Sequence, residues 1–319
     1  MKRTIAAAMI LFLGSAFAAA QDWPARPVKI VVPFAAGATP DIVARLIADD
    51  LQSRLKQTFI VENRPGASGN TGTDAVVKAE PDGATIGVSI GGPLAINPLL
   101  FAHLPYDPRK DLTLITLLVT QPSVFAVNSA LGVNSTRALI DVIKRDPGKY
   151  AFGSIGAGSL SHLAMEAIAL KSGARLVHVP YSSSPQAVTA LLRNDVQMVC
   201  LPAISIVPQL GSGALRVLAV STAERSPLLP EIPTLKEAGI EVEADAWSGL
   251  IAPAGTPDAM AARIGRLVGE TMRLAVVRDK LAAQLMTPIP GTPAQFRARI
   301  DGDIARWSPV IAAAKIKIE

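Results

Sequence analysis

The feature that most restricts the fold of this chain is the alternation of short, unbroken apolar runs with stretches of helical periodicity. "VKIVV" (residues 28–32) leads into the small-residue loop "PFAAGATPD" (33–41). Val43, Ile47, Leu51 and Leu55 then recur at i+4 and make one apolar stripe. The order repeats at "YAFGS" (150–154), the loop "SIGAGSLSH" and a helix from about Ser159. Runs that are apolar without alternating are strands buried on both faces, which belong in sheets covered by helices. "FIVENRP", "PDGATIGVSIGG" and residues 123–127, 176–181, 196–201 and 215–220 are further expected strands. Helices are expected at 135–146, 159–172, 185–193 and through most of the chain beyond Pro257. Half of the residues are hydrophobic but only 4% are aromatic, so Ala, Val, Ile and Leu must build the interior.

Lys2 and Arg3 precede an uncharged run from Ile5 to Ala20, and Ala18 and Ala20 stand at an Ala-x-Ala cleavage spacing. A charged start, a short apolar stretch and small residues predict a secretory signal peptide over residues 1–20. The run falls short of the roughly 20 apolar residues of a spanning helix. Subtracting Lys2 and Arg3 from 31 Lys and Arg leaves 29 against 26 Asp and Glu, a net charge of +3. With no basic run, nucleic acid is not an expected partner. Cys200 is the sole cysteine, so no internal disulfide forms, and its place in "VQMVCLP" predicts a buried, inert thiol. A mature chain of this length predicts two domains.

Both small-residue loops fall at the carboxyl ends of expected parallel strands, where open α/β sheets bind ligands. Each opens a helix whose first N–H groups are free and whose end carries roughly half a positive charge. Gly and Ala let an anion approach that backbone closely. Facing each other, the loops would hold a ligand with negative ends; apart, they are two tight turns. Other chemistries find less support. A dinucleotide fingerprint begun at Gly156 meets Ser161 in place of its third glycine, and His178 in place of the acid. Neither a phosphate-loop signature nor a Gly-x-Ser-x-Gly elbow occurs, and Ser53 and Lys56 lack the companion motifs of a Ser-x-x-Lys enzyme. Of His103, His162 and His178, only His162 has a partner at ligand spacing, Glu166, and a zinc site needs three or four ligands. No metal and no cofactor are expected.

Nine ordered segments, among them "PVKIVVPFAAGATPDIVAR", "VENRPGASGNTG", "GSIGAGSLSHLAMEAI", "VPYSSSPQAVTALL", "RSPLLPEIPTLKEAG" and "WSGLIAPAGTP", cover essentially the whole mature chain. Together they resemble the periplasmic solute-binding proteins of tripartite tricarboxylate transporters, the Bug family. The resemblance implies an α/β, two-lobed periplasmic binding protein of type II, a Venus flytrap, with the ligand cleft between lobes and no catalysis. Residues 21–124 and 250–319 would form lobe 1 and residues 125–249 lobe 2, with hinges near 121–127 and 247–252.

The resemblance also implies ligand-binding residues. The first loop offers Phe34, Ala36, Gly37, Ala38 and Thr39; the second offers Ser154, Gly156, Ala157, Gly158 and Ser159, with His162 behind. "VPYSSSP" nominates Tyr181 and Ser182, and "SIGGPLAINP" nominates Ser89, Gly91 and Asn97. Two departures stand out. Ala38 replaces a common second glycine, and Ser182-Ser183 replaces a frequent Lys-Gly. The implied partners are a small carboxylate (an organic acid, an amino acid or an aromatic dicarboxylate) and membrane permease subunits, with the receptor a monomer in the periplasm. A secreted α/β enzyme acting on a carboxylate, and a sensor for a membrane signalling protein, are the alternatives.

Overall fold

The computed structural model describes residues 23–318; the leader expected over residues 1–20 lies outside them. The chain begins with β1 (Val28–Val32), α1 (Thr39–Leu55), β2 (Phe59–Asn63), α2 (Asn70–Val77), β3 (Thr85–Ile90), the short α3 (Asn97–Leu100) and β4 (Leu112–Gln121). It continues through β5 (Ser123–Asn128), α4 (Thr136–Arg145), β6 (Ala151–Ser154), α5 (Leu160–Ser172), β7 (Val177–Pro180), α6 (Ser184–Leu192), β8 (Met198–Pro202), α7 (Ala203–Ile206) and β9 (Leu215–Val220). It returns through β10 (Ala246–Pro253), α8 (Asp258–Arg273), α9 (Ala275–Ala282), β11 (Thr287–Pro288) and α10 (Pro293–Ala314).

These elements make two sheets, one in the order β11-β4-β10-β3-β1-β2 and the other β7-β6-β8-β5-β9. In the first, β1 pairs in parallel with β2 and β3, while β10 runs antiparallel between β3 and β4. The second repeats the scheme, with β6 parallel to β7 and β8, and β5 antiparallel to β8 and β9. The strand that crosses from the other lobe thus takes the fourth position of each sheet, counted from β2 and from β7. That exchange is the type II arrangement, and it makes the sheets mixed where buried parallel strands were expected.

Local chemistry explains the elements. β1 is β-branched at four of its five positions and paired on both edges, which suits Val and Ile. In α1, Val43, Ile47 and Leu51 are fully buried against the first sheet, each contributing about 1.5–3 kcal/mol. The helix stops at Lys56, in the left-handed region. Cys200 is buried in β8, and burial pushes its thiol up to about 12, so it stays protonated and unreactive.

Two expectations are corrected. The expected strands omit β4, a ten-residue stretch with six Leu, Ile or Val residues broken by three Thr and ended by Gln121, whose pattern periodicity alone does not separate from a buried helix. The second hinge was expected near 247–252, and lobe 2 was expected to end at 249. All of that stretch is strand β10, hydrogen-bonded to β3 and β4 in the first sheet. The crossing precedes it, at Ala244–Ala246, where Ser221 Oγ donates to the Ala244 carbonyl at 3.1 Å. The first crossing, at Gln121–Ser123, falls inside its expected range. Helix α10 belongs to neither lobe alone: Trp307, Val310 and Ile311 share one apolar cluster with Ile96 and Leu100 and with Leu163 and Ile168 of α5.

Candidate ligand-binding cleft

The small-residue loop after β6 is built by its own side chains. Ser159 caps α5: its Oγ accepts from the His162 N–H at 3.3 Å and lies 2.7 Å from the Gly156 carbonyl. Ser161 Oγ accepts from the Ile155 N–H, Ser154 Oγ from the Gly156 N–H, and His162 Nδ1 from the Gly158 N–H at 3.1 Å. The Ser159 N–H goes to the Gly156 carbonyl. The amides of Ala157, Leu160 and Ser161 are left, donating to no protein acceptor among the described residues, and of these three residues Ala157 and Leu160 line the cleft. The clamp therefore offers two backbone donors at the start of α5, fewer than the loop's composition suggests. Ser159→Ala is expected to lower stability by about 1 kcal/mol through loss of the cap, measured by urea unfolding.

Behind the loop, Phe152, His178 and His162 stack, the two imidazoles with centroids 3.8 Å apart. Ser154 Oγ lies 2.7 Å from His178 Nε2, and His162 Nε2 lies 3.5 Å from Glu166. Burial, and then the neighbouring His162, push His178 down to about 4; Glu166 acts the other way. Unfolded His178 takes a proton near 6.5, whereas the folded ring stays neutral until about pH 4. Its contribution to stability is thus full above pH 6.5 and is lost as pH falls toward 4. Thermal unfolding followed across that window should show a shallower fall for His178→Gln than for the wild type. Parallel curves would refute this assignment.

The loop after β1 is held in the same way. Asp41 Oδ2 accepts from the Gly37 N–H at 2.8 Å and from Arg45 Nε, and Asn63 Nδ2 bridges Asp41 Oδ1 and the Phe34 carbonyl. Burial raises the Asp41 carboxyl, but Arg45, the Gly37 amide and Asn63 outweigh it and hold the group below its ordinary value. The Ala38 N–H returns to the Ala35 carbonyl, and Thr39 Oγ1 donates to Gln121 at the first crossing.

Between these loops lies a cleft of about 390 Å³. Seven of the sixteen expected site residues line it: Phe34, Gly91, Asn97, Gly156, Ala157, Gly158 and Ser159. The other nine do not. Ala36 and Gly37 are exposed at the rim of the first loop, with Ala38 and Thr39 half-buried beside them. Ser89 is buried behind the wall against Thr73, and Ser154 and His162 brace the second loop from within. Tyr181 packs over Gly153. Ser182 is exposed, with its N–H and hydroxyl both donated to Gln186.

The sequence reading missed the floor. Asp245, Trp247, Asp303 and Ile318 line the cleft, joined by Ile96 and Ile155. Trp247 lies against Gly91, where a Cβ would approach its ring to 3.1 Å. Its Nε1–H donates to Asp303 Oδ2 at 2.7 Å. Asp303 Oδ1 accepts from Arg306 at 2.7 Å, and Arg299 reaches Asp245 at 2.6 Å. Burial raises the Asp303 carboxyl above its ordinary value in spite of both arginines. The quoted "WSGLIAPAGTP" contains Trp247, but nothing in its spacing points to a cleft.

Two mixed α/β lobes exchanging strands at two crossings, with a cleft between small-residue loops, define a type II periplasmic binding protein. Residues 43–316 match the family described as Tripartite tricarboxylate transporter family receptor, and the chain belongs to that family of solute-binding proteins. It is 35% identical to protein BugT of Bordetella pertussis over 94% of this chain and 93% of that one. Among solved structures, R. palustris Rpa4515 with adipate is 33% identical, covering 93% of this chain and 99% of that one, with a TM-score of 0.81. MatC from Rhodopseudomonas palustris with bound malate is 29% identical, covering 91% and 100%, with a TM-score of 0.75. The resemblance expected from the nine segments is borne out. No helix among the described residues is long and apolar enough to cross a membrane.

Proposed function

We propose that this chain is an exported, periplasmic receptor that captures a small carboxylate between its lobes and delivers it to the permease subunits of a tripartite tricarboxylate-type transporter. The observation that carries this reading is the unused amides of Ala157 and Leu160, at the positive end of α5 and lining a mainly apolar cleft. Such an N-terminus favours an anion. The adipate of R. palustris Rpa4515 and the malate bound to MatC support the carboxylate class, and the leader expected over residues 1–20 supports export. The remaining site residues are proposed in the same sense: Phe34, Gly91, Asn97, Gly156, Gly158 and Ser159 shape the wall, and Ala36 and Thr39 join on closure. Among the described residues, the cleft wall carries no cysteine or histidine, which offers little to nucleophilic catalysis.

The test is a thermal-shift screen of small carboxylates, followed by small-angle scattering. An acid at 100 times its dissociation constant should stabilise the protein by about 2.7 kcal/mol, and the radius of gyration should shrink as the lobes close on their crossings. A screen in which no small acid shifts the melting curve would overturn the reading.

A further inference from the structure

The lobes are joined by more than their two crossings, because α10 is built into both. Phe296 and Ile300 are buried, and Ile304 is partly buried, in the apolar cluster of Val31, Leu94 and Trp247. Trp307, Val310 and Ile311 are buried instead in the cluster of Phe125, Phe152 and α5, which Ile96 and Leu100 also join. The changeover falls between Ile304 and Trp307.

The second crossing runs along this same stretch of helix and is fastened to it on both sides. Glu243, before the crossing, stands 3.1 Å from Arg306. Asp245, within it, accepts from Arg299 at 2.6 Å. Trp247, in β10, donates to Asp303 at 2.7 Å. Residues 243, 245 and 247 alternate along extended chain, and 299, 303 and 306 share one face of the helix. A rigid rod of 22 residues fastened in this way would hold the lobes at one angle.

The rod has its weak points around the changeover. Pro309 stands inside the helix and has no N–H to donate to the Ala305 carbonyl. Ser308 Oγ donates to the Ile304 carbonyl at 2.7 Å, a back-bond that often bends helices. Gly302 lowers helix stability, and packing does not call for it, since a Cβ there would meet nothing within 4 Å. Gly302 and Pro309 are both exposed. Sharp helix bends occur at residues of these kinds.

We propose that α10 is a third hinge, bending between Gly302 and Pro309 as the lobes open and close. The contacts of Glu243 with Arg306 and of Trp247 with Asp303 keep the bend beside the second crossing, so that helix and crossing turn about one axis. This goes beyond the carboxylate reading and holds whatever the ligand is.

The experiment measures the distance between lobes in the full mature chain with no acid added. Ile60 on β2 and Val177 on β7 are 52% and 46% exposed, and their strands lie three positions from the crossing strands β10 and β5. Ile60→Cys and Val177→Cys carry nitroxide labels, while the fully buried Cys200 stays unlabelled. Pulsed electron double resonance on the frozen protein should give a broad distance distribution. Adding Gly302→Ala and Pro309→Ala should narrow it about twofold, and raise the melting temperature, because alanine is the better helix former at both positions. A higher melting temperature with an unchanged width would mean that the two residues are tolerated helix defects, and overturns the proposal. A distribution already narrow before the alanines are added also overturns it. So does a lower melting temperature in each single alanine variant, which would show that packing requires the glycine and the proline.

Discussion

Asp303→Ala is expected to lower the unfolding free energy by about 3–5 kcal/mol, the usual cost of removing one partner from a buried ion pair. Asp303 is 4% exposed. It accepts from Trp247 Nε1 and Arg306, and Arg299 Nε stands 3.5 Å away. Alanine leaves an indole N–H without an acceptor and two guanidinium groups competing for Glu243 and Asp245. The loss measures the orphaned charges, not the net value of the pair, since burial already presses Asp303 toward its neutral form. Asp303→Asn keeps an acceptor for Trp247 and should lose clearly less. Urea unfolding with far-ultraviolet circular dichroism decides it. A loss below about 1 kcal/mol for the alanine variant would mean that water reaches and repairs the network, as at surface pairs.

Gly158→Val is expected to cost at least tenfold in ligand affinity, about 1.4 kcal/mol, and about 2 kcal/mol in stability. The glycine has φ +74°, a left-handed conformation that costs an L residue about 1–2 kcal/mol and a β-branched one more. An added Cβ would stand 2.6 Å from Ile318 Cδ1 and 2.7 Å from Leu100 Cδ1. Those side-chain ends can yield, but Ile318 lines the cleft and Leu100 is buried in the apolar cluster it packs against. Relief of the clash therefore moves the loop or the wall. The Gly158 N–H is held by His162 Nδ1, so a shifted backbone also frees His162 and displaces the Ala157 and Leu160 donors. Calorimetry with an acid found in the screen, on protein shown to be folded, gives the result. Unchanged affinity in a folded variant would remove this loop from the site.

Much of the framework was legible in the sequence because it depends on neighbours. The i+4 stripe of α1, the unbroken runs of β1, β6 and β8, and the Ser159 cap are decided within a few residues, where periodicity and capping act. The two small-residue loops were found for the same reason, each lying between a strand and a helix.

The tertiary structure decided what those loops could offer and what faced them. Gly37 and Gly158 looked like free donors, but their amides are taken by Asp41 and His162, side chains that fold back only once each helix has started. β10 read as a hinge, because an apolar run does not say which strands it pairs with; insertion between β3 and β4 makes it the middle of a sheet. The cleft floor brings Asn97, Trp247, Asp303 and Ile318 together from distant parts of the chain. A local pattern carries no information about such contacts, since they form only when two sheets exchange strands and α10 packs across both lobes. The sequence by itself determined the elements and the family; the charge that faces the ligand was decided by packing.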